Sequence, residues 1–138
     1  MLKMVKSLAL MLVIMTLSLN FLNSSIAASK PTNDTKIIVY YFYAKPRCIS
    51  CKKIENYTKE AVEALKNNKV EYKAINLDDN ANNHYAKEYK LFTKAVILSK
   101  VKNGKQVKWK NLDGIWTKLN NEKEFKSYVT KEIKNIGG

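Results

Sequence analysis

Proline and histidine are scarce in this chain, with two and one residues among 138; glycine occurs four times and cysteine twice. So little glycine and proline, beside 46% hydrophobic residues, excludes a collagen-like or disordered polymer. The lone histidine, His84, leaves a structural zinc site short of ligands, because such sites take four and only two cysteines are present. A single histidine is by default a surface or cap residue. No G-x-G-x-x-G occurs, so there is no recognisable flavin or nicotinamide signature and no cofactor is expected. Repeats and interdomain linkers are also missing, and the length suits one domain. Acids are few, 12 against 25 Lys and Arg, for a formal net charge of +13. The lysines are spread along the chain, which argues against nucleic acid and for loose attraction to acidic partners or anionic lipid.

The first 28 residues differ from the rest. Lys3 and Lys6 precede an apolar run from Leu8 to Leu19, broken only by Thr16 and Ser18. Ser25-Ile26-Ala27-Ala28 then offers small residues for cleavage after Ala27 or Ala28. The pattern predicts a secretory signal peptide over 1–28 and a folded domain over 29–138. An uncleaved membrane anchor is the alternative, but the run is short of the about 20 apolar residues a span needs. No cysteine stands at the cleavage position, which excludes a bacterial lipoprotein. The expectation is an exported bacterial protein of the periplasm or extracytoplasmic face, touching membrane only through an uncleaved segment. There a disulfide can persist.

Both cysteines fall in Arg47-Cys48-Ile49-Ser50-Cys51. Thr35 to Tyr43 before them is apolar, β-branched and aromatic, the pattern of a central strand buried on both faces. From Cys51 to Leu65, Cys51, Ile54, Thr58, Ala61, Val62 and Leu65 recur at helical spacing, with Glu55 and Lys59 as an i, i+4 pair. A C-x-x-C at this junction puts its first sulfur at a helix N-terminus, where free N–H groups and the macrodipole favour an anion and lower the thiol pKa below about 8.5. Cys48 is therefore the candidate nucleophile, aided by Arg47 and within reach of Lys45, Lys52 or Lys53. Cys51, one turn in and on the apolar face, is the candidate resolving thiol. A bridge closing so small a loop constrains the unfolded chain little, so a purely structural role is weaker than thiol–disulfide exchange. The alternative use of the same two thiols is binding of a soft metal or arsenite.

Val70 to Leu77 alternates as a strand, and Asp78-Asp79-Asn80 marks a turn. Ala81 to Leu91 carries Tyr85 and Tyr89 on a short helix, and Ala95 to Val101 is a second apolar strand. Asn103-Gly104 signals a hairpin, with Lys105 to Lys110 returning and Val107 and Trp109 on one side. A two-residue loop sets Leu98 against Trp109 and Lys100 against Val107. The hairpin lysines read as protection of an edge strand. Leu112 to Leu119 is a connection holding Trp116. Asn121 to Glu124 resembles a capping box, and Phe125, Tyr128, Val129, Glu132, Ile133 and Ile136 mark an amphipathic terminal helix. The aromatic residues fall mostly at core spacing. The order β-α-β-α-β-β-α predicts an α/β domain, a mixed central sheet with helices on both faces. Two parallel strand pairings and an antiparallel hairpin are expected in it.

Strand, Cys48-Ile49-Ser50-Cys51, long helix and later hairpin resemble the thioredoxin-like superfamily over the whole of 29–138. More narrowly, Tyr40-Tyr41-Phe42, Arg47-Cys48, Cys51-Lys52, Lys59-Glu60-Ala61, Asn82-Asn83-His84-Tyr85, Lys108-Trp109-Lys110-Asn111-Leu112 and Ile115-Trp116 are similar to the exported nitrophenyl compound nitroreductase subunit (ArsF) family. The superfamily resemblance implies thiol–disulfide exchange with a redox partner protein or a small thiol or disulfide. The narrower one implies a larger reductase complex whose other subunit carries any cofactor. Two departures stand out. Thioredoxins place a cis-proline before the second apolar strand, where this chain has Phe92-Thr93-Lys94-Ala95. They also bury an acid six residues ahead of the first cysteine, where this chain has Phe42.

Overall fold

The computed structural model describes residues 34–138, so the signal peptide expected over 1–28 lies outside the described residues. Strand β1 (Thr35–Tyr43) runs into α1 (Ile49–Ala64), β2 (Val70–Asn76), a 3-10 turn (Asn80–Asn82) and α2 (Asn83–Glu88). Strands β3 (Ala95–Lys102) and β4 (Lys105–Asn111) form the hairpin, followed by α3 (Ile115–Lys118) and α4 (Glu122–Gly137). The sheet order is β2-β1-β3-β4, a thioredoxin-like α/β fold with a mixed central sheet.

β1 lies inside the sheet because its residues are apolar in both directions. Ile37, Val39 and Tyr41 join Val96 and Leu98 under α1 and α4, with Ile54, Ala61, Val62, Phe125, Val129, Ile133 and Ile136 above them. Tyr40 and Phe42 face the other way, with Ile97, Tyr89 and Tyr85. Helices cover both faces, as the pattern predicts.

The strand pairings differ from expectation. β1 and β2 are parallel, but β1 and β3 are antiparallel, as are β3 and β4. A second parallel pairing would need the chain to travel back along the sheet after β2. The six residues of α2 cover about 9 Å, whereas the eight of β3 cover about 26 Å. β3 therefore starts where β2 stops, with Ala95 beside Phe42 and Asn76 beside Tyr43.

The hairpin register differs too. Lys102 pairs with Lys105 and Val101 with Gln106, as a two-residue loop requires, but a bulge between Lys100 and Val101 then leaves Val107 without a partner. Ser99 therefore faces Trp109, and Lys100 faces Lys108. The extra residue also breaks the two-residue period, so Val107 is exposed while Trp109 packs edge-on against Tyr89. The expected connection over Leu112 to Leu119 holds the one-turn helix α3, anchored by fully buried Leu112 and Ile115. At the start of α4, the Asn121 side chain accepts from the Glu124 N–H at 3.1 Å, while the Glu124 carboxylate turns to Lys118 at 3.3 Å.

Candidate redox site

Helix α1 begins two residues earlier than the apolar spacing predicts, at Ile49, with Cys48 as its N-cap. Cys48 has extended backbone (φ −85°, ψ 169°), and its sulfur accepts from the Cys51 N–H at 3.2 Å. The Cys51 sulfur accepts from the Cys48 N–H at the same distance. These contacts satisfy N–H groups that a helix start leaves free, and they turn the dipole's positive end on Cys48. The two cysteines are joined in a disulfide, with Cα atoms 5.0 Å apart. Their environments are unequal. Cys48 is exposed, whereas Cys51 is only 1% exposed beneath the helix.

Arg47 stands beside Cys48, but its guanidinium is ion-paired to Glu55 and lies over the Tyr43 ring, 4.3 Å from its centroid. Glu55 is thus drawn back toward the redox turn instead of to Lys59, its expected partner; Lys59 reaches Glu63 at 3.8 Å. Phe42 packs against the far face, so the residue of β1 that reaches the redox turn is Tyr41. Its hydroxyl donates to the Cys51 carbonyl at 2.9 Å in a buried contact. Burial pushes the Tyr41 hydroxyl's pKa up, and the nearby Arg47 charge pulls against that rise. The Tyr72 hydroxyl is buried without a hydrogen-bond partner, and burial together with the Glu55 charge pushes its pKa up as well. Across the turn, the Lys45 N–H donates to Asp78 Oδ2 at 2.8 Å, and the Leu77 N–H to the Tyr43 carbonyl at 2.8 Å. The residues that follow β2 therefore brace the loop that presents Cys48.

Sequence reasoning missed Tyr41, Tyr72 and Asp78. The period of β1 places Tyr41 in step with Ile37 and Val39, which was the signal for it. Asp78 carried only a turn signal, and nothing in the sequence marks Tyr72 as unpartnered.

Ile49, between the cysteines, is 80% exposed and Phe92 is 99% exposed. Ala44, Leu77, Leu91, Phe92, Thr93 and Lys94 line an open cleft of about 240 Å³, reaching from the loop before the C-x-x-C to the loop before β3. A larger groove of about 410 Å³ between α1 and α4 is lined by lysines and small residues, with no cysteine or histidine. His84 is exposed on α2, its Nδ1 3.0 Å from the Ala81 carbonyl and its ring against Tyr85. Among the described residues, no three His, Cys, Asp or Glu side chains converge where they could hold a metal ion.

No family model and no curated protein match the chain. Among solved structures it is similar to a thioredoxin from Fasciola hepatica, at 21% identity over 72% of this chain and 83% of that one, with a TM-score of 0.45. A protein named Trxlp from Edwardsiella tarda EIB202 is similar at 14% identity, over 69% of this chain and 82% of that one, with a TM-score of 0.46. Thioredoxin f2 from Chlamydomonas reinhardtii gives 14% identity, 69% and 85% coverage, and a TM-score of 0.41.

Proposed function

We propose that this protein is a thiol–disulfide oxidoreductase acting through Cys48 and Cys51. The observation that carries the proposal is the unequal burial of a bonded pair at a helix N-terminus: Cys48 is exposed to a partner and Cys51, bonded to it, is buried. In the reducing direction the Cys48 thiolate attacks a partner disulfide. A Cys48–partner bond forms, the partner S–S bond breaks, and one partner thiolate leaves. The Cys51 thiolate then attacks the Cys48 sulfur, which closes the Cys48–Cys51 bond and releases the second partner thiolate. Two electrons pass to the partner. The same steps reversed oxidise a partner dithiol and leave Cys48–Cys51 reduced. Arg47 and the α1 dipole favour the thiolate, and the apolar cleft bordered by Phe92 suits the partner chain.

The finer reading is an exported protein whose residues 1–28 are removed on secretion. The motifs shared with the nitrophenyl compound nitroreductase subunit (ArsF) family support a place in a larger reductase system, with any cofactor on another subunit. The second reading of the thiols, as a soft-metal or arsenite site, is favoured by Thr93-Lys94 standing where thioredoxins carry a proline.

The deciding experiment is equilibration with thiol buffers of graded potential, followed by trapping on Cys51→Ser. A defined Cys48–Cys51 potential and a mixed disulfide at Cys48 in the trapped species are expected. A pair that never closes, together with stoichiometric arsenite uptake lost in Cys48→Ser, would sink exchange in favour of the second reading.

A further inference from the structure

The β3–β4 hairpin carries five lysines, Lys100, Lys102, Lys105, Lys108 and Lys110, and no acid between them. The register puts all five on one face. Lys102 lies opposite Lys105, Lys100 opposite Lys108, and Lys110 opposite Leu98, which packs in the core beneath α1 and α4. Two of the cross-strand pairs are therefore lysine against lysine, an arrangement that costs stability wherever like charges stand directly opposed. The fold relieves little of this. Lys110 reaches Glu132 at 2.5 Å, and Lys100 reaches the carbonyl oxygens of Gly137 and Gly138, each at 3.1 Å. Among the described residues, no ion pair includes Lys102, Lys105 or Lys108, and residues 1–33 contain no acid that could supply one. The bulge residue Val107, next to Lys108 in the chain, is 57% exposed.

Lys100, Lys102, Lys105 and Lys108 lie toward the end of the sheet remote from the redox turn, and Lys110 lies level with the middle of β1. Lys102 pairs with Thr35, the first residue of β1, and the Asn103 N–H donates to the Asp34 carbonyl at 3.0 Å. Cys48 follows the other end of β1, whose nine residues extend roughly 30 Å. The chain thus enters the fold beside the lysines, some fifteen residues after the apolar run that ends at Leu19.

We propose that the Lys100–Lys110 hairpin face docks on an anionic lipid bilayer, with Cys48 at the opposite end of the sheet and free to meet a partner. Lysines are suited to this because a compact, hydrated ammonium attracts headgroup phosphates without needing a fixed geometry. An exposed valine beside them adds apolar contact at the interface. Nothing in this depends on the redox chemistry of the cysteines.

The test is co-sedimentation of the full chain with vesicles of phosphatidylcholine alone or mixed with phosphatidylglycerol. The N-terminal apolar run contributes to both compositions, so the preference for the anionic vesicles is the quantity read. Each lysine near an anionic surface is worth about a fivefold change in partitioning. The triple variant Lys102→Gln, Lys105→Gln, Lys108→Gln should then lose that preference by roughly two orders of magnitude. A control of equal charge, Lys87→Gln, Lys90→Gln, Lys94→Gln, should lose far less. Lys105→Glu turns a repulsive cross-strand pair into an attractive one, so it should raise the unfolding temperature while weakening vesicle binding. Equal losses in the two triple variants would overturn the proposal, as would Lys105→Glu binding like the unchanged protein. So would duplex DNA bound more tightly than anionic vesicles at the same salt and released by the same hairpin variant.

Discussion

The two faces of the sheet are built from different materials. Under α1 and α4 the filling is largely branched and aliphatic, closed around Phe125. Under α2 it is aromatic, with Tyr40, Phe42, Tyr85 and Tyr89 within 6.0 Å of one another in six ring pairs. The aromatic face also carries a polar rim. The Tyr89 and Ser99 hydroxyls donate to Gln106 Oε1 at 2.6 and 2.5 Å, and Gln106 Nε2 donates to Glu88 at 3.2 Å. Aliphatic packing gives α1 a dry floor that holds its first turn, and Cys48 with it, in one place. Aromatic packing lets a six-residue helix close the opposite face, because each ring covers a large area, at the cost of hydroxyls that must stay protonated.

The largest expected effect is on the aliphatic face. Phe125→Ala should cost about 3–5 kcal/mol in urea unfolding of the oxidised protein. Tyr85→Ala, half-buried on the aromatic face, should cost about 1–2 kcal/mol. Equal costs would erase the contrast between the faces.

Alkali should attack both faces, because burial also raises Tyr41 and Tyr72 on the aliphatic side, but the aromatic face holds its raised tyrosines in ring-to-ring contact. Burial, with Tyr85 beside it, pushes the Tyr40 pKa up to about 12 from 10.0, and burial raises Tyr89 as well. A pKa raised in the fold means that the stabilisation is complete below pH 10 and is lost as pH climbs through 12. Tyrosinate absorbance and circular dichroism should therefore change together over that window, and Tyr40→Phe should delay the transition. Early tyrosinate formation with the fold intact would contradict this assignment.

Smaller effects should mark the redox turn. Tyr41→Phe removes the buried donor to the Cys51 carbonyl and should cost about 1 kcal/mol, read by thermal unfolding. Glu55→Gln releases Arg47 toward Cys48, stabilises the thiolate and should make the couple more oxidising by roughly 10–30 mV. Arg47→Gln should move the potential the other way. Shifts of one sign in both variants would show that the pair tunes nothing.

Much of this was legible in the sequence. β1 is read to the residue, because a run apolar in both directions has no other stable place than the inside of a sheet. The C-x-x-C announced its own position, and the buried faces of α1 and α4 follow from helical spacing. What the sequence hid was relational. The antiparallel entry of β3 follows from the shortness of α2, which spacing does not report reliably. The bulge at Val107 depends on how two strands meet. Glu55 had a neighbour of opposite charge four residues ahead, yet the ion pair formed with Arg47, eight residues back in sequence and brought close by the turn. Tyr41 looked like one more core aromatic until its hydroxyl found the Cys51 carbonyl.

Cys48 caps α1 with the same sulfur that would react. In the disulfide that sulfur is neutral; as a thiolate it sets a full negative charge at the positive end of a sixteen-residue helix. Reciprocity follows. Whatever the helix does for the thiolate, the thiolate does for the helix, so the redox potential also gauges how firmly the first turn is wound. Substitutions far from the cysteines that fray this turn should register as a change in electron affinity, whereas core changes that leave it intact should not.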